Sequence, residues 1–341
     1  MKRIFFFGIM AGMTMMAVLF GGCQKDNITP IPQVDIVDTT ITIDTIVTDE
    51  GCLPGLFSVS ETSQVRFSQG NLQWSSQGYH AVRGSRNALP GSWRFAEHQY
   101  DVVGSPSQYE TSTSSYFVYP GNVEGSDNGS IGEDYAGWID LFGWGTSGYR
   151  DRHPYSVSVD ASDYGDGASD ISGTYYDWGV YNAISNGGDI PGIWRTLTSD
   201  EWYYLLNRRT SAHFKHGPGS IQLEDNSTVN GWILLPDVWE LPDGCTFTDG
   251  QFLMYNNFDL NTYTLSQWAA MEAAGAVFLP AAGSRNGAVV SFIGGHGDYW
   301  SSTYVDANFV HYLNFWSNDA YMDRSSRTYG RAVRLAREIV E

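Results

Sequence analysis

Between Gly297 and Trp316 the chain reads GDYWSSTYVDANFVHYLNFW, and it continues through SNDAYMDRSSRTY to Tyr329 without a single lysine. Tyr and Trp rings give broad, rigid contact area at small entropic cost, and the amides, carboxylates and hydroxyls beside them add adaptable hydrogen bonds. That is the chemistry of a recognition surface. In NFVHYLNFW the two-residue period of a strand puts Phe309, His311, Leu313 and Phe315 on one side, and Asn308, Val310, Tyr312, Asn314 and Trp316 on the other. Leu313 and Phe315 read as core, so Tyr312, Asn314 and Trp316 are expected to face outward. Tyr304, Asp306 and Asn308 precede them, and the segment read as the following loop adds Asn318, Asp319, Tyr321, Asp323, Arg324 and Tyr329 as candidate ligand contacts. The plainer reading is that aromatics in a glycine-rich domain are core and that Asn and Asp are solvated turn residues.

Other chemistries find less footing. GWGTSG at Gly143–Gly148 has the spacing of a dinucleotide loop, but YRDRHP follows where a helix should begin, and Pro154 interrupts it. His213 and His216 in HFKH are too close for ligation at helical i, i+4 spacing and sit in a Gly/Pro context, which favours surface positions over a metal site. No Gly-x-Ser-x-Gly nucleophile elbow occurs. Glu97 with Asp101, or Asp200 with Glu201, could serve glycoside hydrolysis, yet with 38 acidic residues such pairing carries little information.

The elements that must hold these residues read as short. GLFSVSETSQVRFSQGNLQW alternates apolar and polar residues in two runs around Glu61–Ser63, a hairpin signal. SWRFAEHQYDVVG and AGWIDLFGWGTSGY read as packed irregular segments. Thr198 with Glu201, and Thr264 with Gln267, form capping-box patterns ahead of apolar faces at Trp202, Leu205 and Leu206 and at Trp268 and Met271, and Gly275 ends the second helix. AVFLPAAG reads as a buried strand and turn; SRNGAVVSFIGG, DYWSSTY, FVHYLNFW and RAVRLAR read as further short strands. The fold class expected is α+β, with two short helices among many short, mostly antiparallel strands and glycine-rich loops.

The N-terminus opens with Lys2 and Arg3, an apolar run, and Gly21-Gly22 before Cys23, the layout of a secretory signal over 1–22. Small residues before a cysteine resemble a bacterial lipoprotein box, although Phe20 stands where an aliphatic residue is usual. That resemblance implies acylation of Cys23; ordinary cleavage to a soluble periplasmic protein is the alternative. QKDN after the cysteine is similar to the signal that sends Bacteroidetes lipoproteins to the outer face of the outer membrane. Residues 23–50 form the lipidated start and an extended tether without aromatics. Asp-Thr-aliphatic phrases there resemble O-glycosylation sites at Thr39 and Thr45, against a plain Thr-rich linker. Residues 51–341 remain for one domain. The net charge of −19 repels nucleic acid and anionic lipid. Of three cysteines, Cys52 and Cys245 could pair in an oxidising compartment or remain as two thiols.

The phrases RFSQGNLQW, WRFAEHQYD, IDLFGWGTSGY, YDWGVYNAISNGG, WRTLTSDEWYYLL, GWILLPDVWELPDG, GAVFLPAAGSRNG, GDYWSSTY and YGRAVRLA together resemble a group of Bacteroidetes surface lipoproteins with a C-type-lectin-like domain. More narrowly, they are similar to the branch shared with formylglycine-generating enzymes and the variable proteins of diversity-generating retroelements. The likeness spans about Leu56 to Arg337. It implies that the late strands carry the ligand-facing surface, and it marks Trp300, Ser301, Ser302, Gly330, Val333 and Arg334 as scaffold. The enzyme branch works through two cysteines near its C-terminal region, and no cysteine follows Cys245 here. The calcium branch uses triplets such as Trp-Asn-Asp; Trp316–Asp319 approaches this with one residue inserted, which does not supply the converging oxygens calcium needs.

The expectation is therefore a surface-anchored, non-enzymatic binding module for a glycan or protein, without cofactor or metal. Its C-terminal face would be a target of retroelement diversification. A structural subunit of a surface assembly and a glycan hydrolase are the rival readings.

Overall fold

The computed structural model describes residues 49–76, 91–103, 131, 135–250 and 258–339, all within one unit of the chain, Val47–Glu341. Cys23, Thr39 and Thr45, with the signal segment and most of the tether, lie outside the described residues. The first strands are β1 (Phe57–Ser58), β2 (Gln64–Phe67), β3 (Leu72–Ser75), β4 (Ser92–Phe95), β5 (Trp138–Ile139) and β6 (Arg195–Thr196). Next come β7 (His216–Gln222), β8 (Thr228–Leu234), β9 (Thr262–Thr264), β10 (Val277–Pro280), β11 (Ser284–Asn286) and β12 (Val289–Ser291). The last are β13 (Gly297–Tyr304), β14 (Phe309–Phe315), β15 (Ala320–Ser326) and β16 (Leu335–Glu338). Among the described residues three α-helices interrupt them: α1 (Trp178–Tyr181), α2 (Ser199–Asn207) and α3 (Leu265–Ala273).

The architecture is α+β: mostly strands in several small sheets, with few short helices. The sheets run β1-β2-β16-β6, β10-β8-β7-β9, β13-β14-β15, β4-β3-β5 and the hairpin β11-β12. Among the described residues every strand pair is antiparallel except β7 with β9. Both helix starts are built as their sequences dictate. Thr198 and Glu201 exchange side-chain and backbone bonds at the head of α2, as do Thr264 and Gln267 at α3. Gly275, at φ 101°, takes the left-handed turn after α3 that a side chain would resist. The hairpin around Glu61–Ser63 forms, with Phe57 opposite Val65.

Several elements depart from expectation, and one is a third helix, α1, beyond the two expected. SWRF and Trp138–Ile139 are strands, β4 and β5, that pair on either side of β3. The segment Ala320–Ser326, read as loop, is a seven-residue strand. His216 begins β7 and is buried, not at the surface: its Nδ1 accepts the Trp232 indole N–H at 3.2 Å, and its Nε2 lies 3.1 Å from the Leu206 carbonyl.

Apolar side chains gather in three clusters. One joins Phe57, Val65, Phe67, Trp202, Leu205, Leu279, Leu313 and Phe315. A second, rich in tryptophan, joins Trp74, Trp93, Trp144, Trp178, Trp194, Trp300, Val310 and Tyr312. The third holds Ile221, Ile233, Trp268, Met271 and Phe278. Central strands are shared between clusters: along β8, Trp232 and Leu234 enter the first and Ile233 the third. On β14, Leu313 and Phe315 enter the first, while Val310 and Tyr312 enter the second. A strand with core on both faces carries no polar side chain outward, whatever its alternation.

The positions marked as scaffold are all buried. Trp300 donates its indole N–H to Phe142 O at 2.6 Å, and Ser301 Oγ donates to His311 O at 2.8 Å. Arg334 spends its guanidinium on Asn71 Oδ1, Ser68 O and Phe278 O at 2.7–3.1 Å, tying β16 to β10 and to the turn before β3. Cys52 and Cys245 are not bonded to each other. Cys52 packs against the tryptophan-rich cluster, whereas Cys245 is buried in the third, its Sγ 3.6 Å from Gln267 O.

Candidate functional site

The sheet β13-β14-β15 carries most of the predicted contact residues, and its register sorts them. Rows across one face run Asp298–Asn314–Tyr321 and Trp300–Tyr312–Asp323. The opposite face carries Tyr299–Leu313–Met322 and His311–Arg324, and packs on the core beside α2. Both β13 and β15 end the sheet, but β13 is bridged to Gly283 and Ala332, so the first face passes from buried at β13 to exposed at Tyr321 and Asp323.

Two residues expected to face solvent do not. Tyr312 is 7% exposed and Asn314 is 4% exposed. The parity is as read, but the tryptophan-rich cluster covers the face that parity assigns to solvent. The Tyr312 ring meets Trp300 edge-on at 6.2 Å and is capped by the Arg331 guanidinium at 3.5 Å, while its hydroxyl donates to Asp323 Oδ2 at 3.3 Å. Asn314 Nδ2 donates to Asp298 Oδ1 at 2.7 Å.

Asp298 is the hub beneath this face. Its carboxylate pairs with Arg331 and holds Asn314, and His296 Nε2 stands 3.6 Å away, beyond hydrogen-bond reach. Desolvation pushes the His296 imidazole below its ordinary range, with Asp298 opposing and Arg331 assisting, so the ring is neutral at physiological pH. Among the described residues, Asn314 Oδ1, both ring nitrogens of His296 and Arg331 Nε are buried without a hydrogen-bond partner.

Over the hub lies a half-exposed aromatic group. His296 stacks on Phe292 at 4.4 Å and meets Trp316 edge-on at 4.5 Å; Phe292 and Trp316 are 5.9 Å apart. Phe292 holds φ at 65°, a conformation a bulky residue adopts only under constraint from its surroundings. Beside Trp316 stands Tyr321, 41% exposed, on the same face as the exposed carboxylates of Asp319 and Asp323. Burial raises the Tyr321 hydroxyl's pKa first, and Asp323, Asp319 and Asp298 raise it further, so the phenol sits in a negative potential.

The remaining predicted contacts scatter. Asn318 is exposed in the β14–β15 turn, near the cluster. Tyr329, half-exposed, lies 5.7 Å from the Arg331 guanidinium. Tyr304, Asp306 and Asn308 occupy the opposite end of the sheet, about 20 Å away at strand rise. There Asp306 Oδ1 accepts Asn308 N and Phe309 N, which is turn chemistry, and the Tyr304 ring faces Arg327 at 5.4 Å. Arg324 points to the other face. The structure thus brings Trp316, Asn318, Asp319, Tyr321 and Asp323 together over Tyr312 and Asn314, and leaves the others apart. It adds Phe292, His296, Asp298 and Arg331, which the sequence reading passed over. Their signal was present: Asp298 and Arg331 are opposite charges inside GDYWSSTY and YGRAVRLA, phrases that otherwise read as buried strand.

Among the described residues no three of His, Cys, Asp or Glu converge to hold a metal ion, and no helix is long and apolar enough to cross a membrane. Compared with family models, curated proteins and solved structures, the chain matches none.

Proposed function

We propose that this chain is a surface lipoprotein with a C-type-lectin-like domain that captures a glycan or protein ligand through the outer part of the β14–β15 face. The observation that carries the reading is the grouping of Trp316, Phe292 and Tyr321 beside Asp319 and Asp323, on a sheet whose inner rows are locked into two core clusters. Rigid rings with carboxylates at their edge, supported from below by a buried ion pair, meet the requirements of a preorganised contact surface. The face is narrower than parity alone assigns, because Tyr312 and Asn314 support it from beneath.

The wider reading rests on sequence phrases. Acylation at Cys23 would place the domain on the outer face of the outer membrane behind an extended, O-glycosylated tether. Retroelement diversification would act on the codons between the buried scaffold positions. A neighbouring reverse transcriptase gene with a near-copy of the region coding Tyr299 to Arg334 is the mark of that process.

Purified protein probed on combined glycan and protein arrays tests the binding reading. Capture of a ligand by the wild type, lost in a Trp316→Ala/Tyr321→Ala variant of unchanged far-ultraviolet spectrum, is the expected result. Capture that survives both substitutions would move the site elsewhere.

A further inference from the structure

We propose that the β14–β15 face accepts a positively charged side chain, the ammonium of a lysine or the guanidinium of an arginine presented by a protein partner, seated against Trp316 and Tyr321 and flanked by Asp319 and Asp323. The inference rests on the binding reading above and selects a basic protein over a glycan as the ligand.

Four observations carry it. First, Asp319, Tyr321 and Asp323 share one parity on β15 and its preceding turn, so both carboxylates flank the same exposed ring. Second, neither carboxylate forms an ion pair among the described residues. Asp319 Oδ1 accepts only Ala320 N at 2.8 Å, and Asp323 accepts Arg324 N at 2.7 Å and the Tyr312 hydroxyl at 3.3 Å. Two cations of the neighbourhood are turned away: Arg324 lies on the opposite face, and Arg331 is buried against Tyr312 as counter-ion to Asp298. Third, Asn314, opposite Tyr321 in the ladder, has given its Nδ2 to Asp298 and retains Oδ1 as a buried acceptor with no donor. Above it the exposed carboxylates take only backbone and hydroxyl donors and keep oxygens open to a charged N–H donor. Fourth, Trp and Tyr faces attract cations, and a chain of net charge −19 draws a basic partner at long range. A neutral sugar could give the carboxylates hydroxyl donors but gains nothing from their charge, whereas an ammonium or guanidinium gains both.

Hexalysine and hexaarginine serve as probes, with hexaserine and hexaglutamate as controls, at low and at physiological ionic strength. Since any acidic protein attracts oligolysine, the comparison is between variants. Asp319→Asn/Asp323→Asn should weaken hexalysine binding by at least about fivefold, the loss of two surface pairings. An equal charge change at exposed sites in the segment that packs on the third cluster, Glu240→Gln/Asp243→Asn, should weaken it by less than about twofold at physiological ionic strength, as screened charges beyond the Debye length act little. Tyr321→Ala should cost about two- to fivefold and Tyr321→Phe nothing, because the ring face and not the hydroxyl holds the cation.

Equal losses from the two charge pairs, or equal binding of hexaserine, would overturn the proposal. The two readings fail separately. A Tyr321-dependent array ligand that is neutral or anionic refutes the basic side chain and leaves the binding surface standing. No array ligand, together with hexalysine binding indifferent to every substitution on the face, refutes both.

Discussion

Replacing Tyr312 by alanine asks whether this residue is contact surface or support. Its ring is 7% exposed, packed edge-on to Trp300 at 6.2 Å and covered by Arg331 at 3.5 Å. Truncating a buried aromatic to alanine costs about 3–5 kcal/mol through lost transfer energy and the cavity left behind. The same change uncovers the Arg331 guanidinium, itself buried, removing a desolvated cation–π contact worth about 2 kcal/mol. These terms overlap, so a loss of about 4 kcal/mol is expected for Tyr312→Ala. Tyr312→Phe keeps ring and cavity intact and removes only the hydroxyl's bonds to the exposed Asp323 and to Arg331, about 1 kcal/mol. Trp316→Ala, at a half-exposed position, should likewise cost about 1 kcal/mol. Urea unfolding followed by tryptophan fluorescence measures all three. Outward-facing strand residues would have left stability untouched on substitution; the structure reverses this for Tyr312. A Tyr312→Ala variant within about 1 kcal/mol of wild type would refute the packing argument and return the ring to solvent.

Further outcomes follow from two buried groups and from the cysteines. Burial pushes the Asp177 carboxyl up to about 6, against hydrogen bonds from Thr196 and Gly179. A folded value above the unfolded 3.8 means that the group's contribution is fully present below about pH 4 and lost as pH rises through about 6, on the order of 3 kcal/mol. Asp177→Asn should therefore flatten the urea midpoint between those pH values; an unchanged profile counts against the burial. Burial holds His216 down at about 4, which gives the opposite sign: its contribution is full above about pH 6.5 and lost as pH falls through about 4. Titration of the denatured, unreduced protein should find Cys52 and Cys245 both as free thiols; a mass lower by two hydrogens in a peptide joining them would show a bridge.

Local signals in this sequence were reliable wherever one short-range interaction decides the outcome. Thr198 with Glu201, and Thr264 with Gln267, cap their helices because a side chain reaches only the first turn, and no distant residue can change that. Strand faces are decided otherwise. Alternation in NFVHYLNFW correctly separates Leu313 from Tyr312, yet it says nothing about what covers each side, and Trp300 and Arg331 arrive from β13 and from the segment before β16 to close the second face. The Asn- and Asp-rich composition of Ala320–Ser326 and its preceding turn hid a strand for a related reason. Asp319 and Asp323 spend Oδ1 on the backbone N–H groups of Ala320 and Arg324, serving an edge strand as they would serve a loop. The residues that crowd the C-terminal segment thus divide by depth. Asp298, Asn314 and Tyr312 form a polar network that fixes the sheet, and only the edge, from Trp316 to Asp323, offers rings and carboxylates to a partner. An exposed aromatic and two carboxylates with no cation opposite them, on an edge strand and the turn that leads into it, make that edge the place where binding energy can be gained without dismantling the core.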